Sequence, residues 1–279
     1  MRRCSKPESH ARMSPLEQFL IVFLAGLVTA LATGLGALPF FLTEEVSDRW
    51  IVSLWGLAAG IILAASTLGL LREAFEAGPT GHVLAGFLAG IGLIVLADLL
   101  IGTHTFEPRT ISRAEFDRLV LIVGVLTVHS IPEGVAVGVA FAQLGVEADV
   151  TVAGIGLPTL AVAMSLAVAI MNVPEGLAIA IPMRTYGIGR WQTVGWAVAS
   201  SLPQPIGAVL AFYFVRTASS LLPFGLALAA GAMLYLVVHD MLPEAIERGR
   251  ELPGRGRREL VTGTVVGFGA MVPLFVIVG

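Results

Sequence analysis

The chain has almost no cysteine and almost no lysine: Cys4 and Lys6 are the single examples among 279 residues. One thiol cannot close an internal disulfide, nor can it build a cysteine-based zinc site. Charge of either sign is scarce at 13% of residues, and a net balance of −3 gives no reason to expect a nucleic-acid partner. No His-Glu-x-x-His pattern is present, and no Ser/His/Asp or Cys/His set replaces it, so an enzyme is not expected. Apolar residues are what the chain has in abundance. They make up 56% of it, with 32 glycines and a mean hydropathy of +0.87. Such a composition belongs to a polytopic membrane protein whose helices pack closely on small residues.

Residues 1 to 14 are polar and basic and read as a mobile tail. The apolar stretch Leu16 to Leu42 is far longer than the roughly 7 to 15 residues of a signal-peptide core, so it is expected to stay as a helix. Further apolar runs at 51–71, 82–102, 118–144, 158–183, 191–215, 221–246 and 259–278 bring the expected count to eight transmembrane helices. The predicted architecture is all-α, one membrane domain over 15–279. With both termini outside, the inner loops hold eleven of the 17 lysines and arginines, among them Arg248, Arg250, Arg255, Arg257 and Arg258. The positive-inside rule favours that orientation.

Two of the runs carry the same phrase: Val128-His129-Ser130-Ile131-Pro132-Glu133-Gly134 and Ile170-Met171-Asn172-Val173-Pro174-Glu175-Gly176. A carboxylate inside an apolar helix costs roughly 2.5 to 3.5 kcal/mol, so two in register call for one explanation. A bound cation supplies it. His129 and Glu133 are four apart, as are Met171 and Glu175, so each pair projects from one helical face. Each proline removes a backbone donor and frees a carbonyl one turn back. Imidazole, thioether and carboxylate together suit zinc or a first-row transition metal better than calcium or magnesium. The plainer reading has the prolines merely kinking the helices and the glutamates bonding across to hydroxyls.

A longer repeat sets Ala58-Ala59-Gly60 on Ala229-Ala230-Gly231 without a gap, and it pairs Glu73 with Glu244 and Glu76 with Glu247. Span 2 thus matches span 7. One is even and the other odd, so they cross the membrane in opposite senses, as inverted repeats of secondary transporters do. Spans 1–3 and 6–8 would then surround a central pair, spans 4 and 5.

His129-Ser-Ile-Pro-Glu133-Gly, Asn172-Val-Pro-Glu175-Gly, Gln204-Pro205-Ile206-Gly207-Ala208 and Ala230-Gly231-Ala232-Met233-Leu234-Tyr235 with Leu242-Pro243-Glu244 resemble spans 4 to 7 of the ZIP (ZRT/IRT-like) metal transporters. The Met-Asn-Val-Pro-Glu-Gly form is most similar to the GufA-like bacterial branch. The resemblance implies a divalent metal, zinc foremost and otherwise cadmium, iron or manganese, moved into the cytoplasm across a bacterial inner membrane. It also implies a homodimer, alternating access and no resident cofactor. The implied metal site lies between spans 4 and 5, on His129, Glu133, Met171 and Glu175 with Ser130, Asn172 and Gln204. Family members often carry Asn at Ser130, His or Gln at Met171 and Glu at Gln204, and two-metal branches an Asp at Asn172. The neutral residues here leave two carboxylates for any pair of dications, so one bound metal is expected.

His239, Asp240 and Glu244 fall two-thirds of the way down span 7 and beyond, where they read as an exit path. Glu73 and Glu76 stand at the outer end of span 2, either gathering cations or merely solvated. His104 with Glu107, and Asp98, are polar residues whose role the sequence leaves open. A carrier that uses the buried acids for protons or sodium is the competing function, with an intramembrane metalloenzyme behind it.

Overall fold

A computed structural model describes residues 13–43, 46–101, 113–146, 150–152 and 154–276. His104, Glu107 and the basic tail lie outside these residues, as does the side chain of Asp98. Helices dominate: α1 (Pro15–Phe41) and α2 (Asp48–Ala77); α3 (Thr80–Ile101) and α4 (Arg113–Ala140); α5 (Thr159–Thr185), α6 (Arg190–Thr217) and α7 (Ser219–Arg248); and α8 (Arg257–Val276). Five of them, α1, α2, α5, α6 and α7, are long and apolar enough to cross a membrane. The all-α expectation misses one feature, an antiparallel hairpin of β1 (Val150–Val152) and β2 (Ile155–Leu157) between α4 and α5, turned at Gly154 with φ +83°. Three-residue strands at the edge of a membrane domain carry too few alternating residues to register as a pattern.

Local signals explain the ends of the helices. Ser14 caps α1 in a reciprocal box, accepting from the Glu17 amide at 3.3 Å while the Glu17 carboxylate accepts from the Ser14 amide at 2.6 Å. The last eight residues of α1, Gly34–Phe41, tighten into a 3-10 helix. α4 and α5 stay helical through Pro132 and Pro174 rather than breaking at them. α2 and α7 each contain a π turn, at Ala65–Leu71 and Val237–Met241. With Ala58 set on Ala229, the second π turn falls on residues 66–70, inside the first.

Tight pairing of α2 with α8, α3 with α7 and α4 with α6 organises the bundle, and α1 lies against α5 and α6. Small residues make these approaches possible. Gly56 and Gly60 lie on the backbone of Leu260 and Thr264 in α8, and Gly263 and Gly267 lie in return on Ser53 and Leu57 of α2. Without a hydrophobic drive between helices in lipid, such backbone contact is a main source of association. The interior is accordingly built from fully buried alanines such as Ala58, Ala59, Ala136, Ala167, Ala229 and Ala230. Large apolar side chains such as Leu84, Leu88 and Val265 face outward, as lipid contact requires. Trp50, Trp191 and Trp196 are exposed as well, the amphipathic ring that suits a membrane–water interface.

Candidate metal site

The two proline-glutamate phrases meet in space. Glu133 on α4 and Glu175 on α5 are buried with their carboxyl groups side by side, and His129 stands close to Glu175. Met171, also buried, completes this end of a cavity of about 890 Å³. The glycine that closes each phrase allows the approach. A Cβ on Gly134 would strike the Gln204 carbonyl of α6, and one on Gly176 would strike the Thr33 carbonyl of α1.

The cavity runs from these four side chains past His239 and Asp240 to Glu244, Glu247 and Arg248 at the far end of α7. The expected exit residues and the expected ligands therefore share one wall-to-wall space. Asp240 sits on the π turn of α7 between two imidazoles, 2.9 Å from His239 Nδ1 and 3.3 Å from His129 Nε2. His129 Nε2 and Asp240 Oδ2 are close but are buried without a hydrogen-bond partner, and Glu133 Oε1 is a third such atom on the cavity's lining residues. Tyr235 stacks on His239 with ring centroids 4.8 Å apart and holds that imidazole at the cavity wall. Among the described residues, no three His, Cys, Asp or Glu side chains are gathered into a closed metal cage in this conformation.

The neutral members of the expected set behave differently. Ser130 donates to the Ser200 carbonyl at 3.1 Å. Asn172 and Gln204 are fully buried and bonded to each other and to Thr29 of α1. Thr29 was invisible as a site residue in the sequence, since a lone threonine in an apolar helix usually bonds its own backbone. Trp55 and Tyr186, which also line the cavity, carry no motif either.

A second cavity of about 400 Å³ opens at the opposite end of the bundle, lined by Arg72, Glu73, Glu76 and Gln143. Arg72 pairs with Glu76 at 3.0 Å and donates to the Phe275 carbonyl at 3.3 Å, so the charge of Glu76 is partly neutralised. Small fully buried residues, among them Ala65, Ala136, Val137, Ala167 and Ala230, fill the bundle between the two spaces.

The ZIP Zinc transporter family model matches residues 102–275. Zinc transporter GufA of Myxococcus xanthus is 32% identical over 256 residues, which cover 88% of this chain and 94% of that protein. Zinc transporter ZIPB of Bordetella bronchiseptica is 34% identical over 267 residues, covering 89% and 78%. A putative zinc transporter of Arabidopsis thaliana is 36% identical over 228 residues, 81% of this chain but 35% of the longer plant protein. Proteins of this family are transporters rather than enzymes, and the apolar helices make this one an integral membrane protein. The family model and these relatives together show that the chain belongs to the ZIP family of zinc transporters.

Proposed function

We propose that the protein carries one divalent transition-metal ion at a time, zinc foremost, into the cytoplasm, held between α4 and α5 by His129, Glu133, Met171 and Glu175. The observation that carries this reading is the pair of adjoining carboxyl groups at the blind end of a cavity, with no lysine or arginine beside them among the described residues. Like charges so placed need a cation or a proton between them. His129 and Met171 on the same wall favour a metal over sodium, because nitrogen and sulfur donors select softer ions. Uptake of zinc, manganese, iron(II) and cadmium into proteoliposomes tests this directly. Metal flux that needs no sodium gradient is expected, whereas proton or sodium flux without metal would favour the competing carrier.

Eight spans with both termini outside an inner membrane put the mouth of the large cavity on the cytoplasmic side, because α5 and α7 both end there. The matched π turns of α2 and α7, and the reciprocal pairing of α2 with α8 and α7 with α3, support the inverted repeat. An ion leaving Glu133 and Glu175 then meets Asp240, His239 and Glu244 in turn. Cysteines placed at positions 239, 240 and 244 in a Cys4→Ser background should be labelled by impermeant reagents from the cytoplasmic side alone. Labelling from outside would invert the orientation. A homodimer follows from the family resemblance and is read by the mass of the solubilised complex.

Met171 supplies a soft donor rather than charge. Met171→Ala should therefore leave zinc uptake within about tenfold of the wild type while lowering the cadmium-to-manganese preference. Unchanged selectivity would return Met171 to the role of apolar filler.

A further inference from the structure

Gln204 has two amide hydrogens and two acceptor lone pairs. All four are used. Its Nε2 donates to Glu133 Oε2 and, at 3.3 Å, to Asn172 Oδ1. Its Oε1 accepts from Asn172 Nδ2 at 3.1 Å and, at 2.9 Å, from the Thr29 hydroxyl, which shares its one hydrogen between Gln204 and the Gly26 carbonyl at 2.8 Å. Asn172 Nδ2 is anchored in turn on the Thr29 carbonyl at 2.7 Å. Gln204 and Asn172 have no exposed surface, so no water offers either amide an alternative.

The network also decides which way the amide points. Turned over, the Gln204 carbonyl would face the Glu133 carboxylate, and its NH₂ would face that of Asn172. Only the observed orientation puts donors on acceptors. Glu133 is thereby left with one bonded oxygen, Oε2, and one buried unpartnered oxygen, Oε1. Gln204 is thus closed to a metal, although its place in the sequence suggests a ligand.

We infer that Gln204 is a positioning residue. Aimed by Thr29 and Asn172, its amide holds Glu133 Oε2 as a neutral substitute for a second cation and turns Oε1 alone to the transported ion. The inference rests on the metal reading of the site given above. It makes Thr29, on a different helix and outside the expected ligand set, a determinant of ion affinity.

The test uses the purified full-length chain, with zinc bound per chain measured by metal analysis after equilibrium dialysis. Wild-type protein is expected to bind one zinc. Gln204→Glu removes the donor and adds a charge of the same shape, and it should bind two. A single zinc held more tightly in this variant would mean that the residue at 204 is itself a ligand and would overturn the proposal. Thr29→Val should still bind one zinc, with a Kd weakened about fivefold, the worth of one neutral hydrogen bond. Thr29→Ser, which keeps the hydroxyl, should restore it. An unchanged Kd in Thr29→Val, or no recovery in Thr29→Ser, would also sink the idea. Binding of no zinc by the wild type would defeat the metal reading instead, and the clamp would then be judged on metal-free protein. There, the melting shifts of Thr29→Val and Glu133→Gln should be non-additive, because the residues act through one amide. Additive shifts would overturn the clamp whatever the site binds.

Discussion

Glu175→Gln should give a protein that folds, inserts and melts normally, yet moves no zinc. The change keeps the shape of the side chain and removes its charge from a position buried beside Glu133. With one carboxylate left, a dication in a low-dielectric site keeps an uncompensated charge, which costs far more than the donor bonds recover. Loss of a direct ligand exceeds the 10 to 100-fold typical of groups that merely support one, so uptake should fall by more than about 100-fold. Glu133→Gln should behave in the same way, since Glu133 lines the same cavity. Stability should hold or rise slightly in metal-free protein, because a buried like-charge contact is removed. Initial rates of zinc uptake beside a thermal melt decide the matter. Full uptake by either variant would end the metal assignment, whereas a collapsed melt would show that the acids serve the fold.

Gly176→Val should be the most damaging substitution outside the acids, and for a different reason. An added Cβ would collide with the Thr33 carbonyl of α1, a backbone atom that no rotamer change can move. α1 would have to back away from α5, breaking the Asn172 bond to the Thr29 carbonyl. In the bilayer interior no water replaces that partner. Overpacking of this kind costs about 3 kcal/mol or more, enough to deplete folded protein in the membrane. Gly92→Ala and Gly269→Ala serve as controls, since a Cβ at either position meets nothing within 4 Å. Both should melt within about 0.5 kcal/mol of the wild type. A Gly176 variant as stable as these controls would mean that the α1–α5 contact is far looser than the structure has it.

How much of this was legible in the chain depended on whether the information was local. The apolar runs of α1, α2, α5, α6 and α7 and the two proline-glutamate-glycine phrases are local patterns, and the structure has helices where they fall. The convergence of His129, Glu133, Met171 and Glu175 on one cavity was legible too, because matched acids in apolar helices leave few other arrangements. α2 and α7, which match without a gap, each hold a π turn at corresponding positions, and no residue pattern announces a π turn.

The sequence by itself determined which residue types lie at membrane depth, because every polar group there must be matched by another. Only the tertiary structure decided which partner each would take. Gln204 and Asn172 carry the same chemistry whether they bind a metal or each other, and Thr29 can bond its own helix or a neighbour. The choice depended on how closely α1, α4, α5 and α6 approach, set by Gly134 and Gly176 on backbones distant in sequence. Hydrogen bonds reach about 3 Å, so a difference of an ångström in helix separation converts a ligand into a clamp.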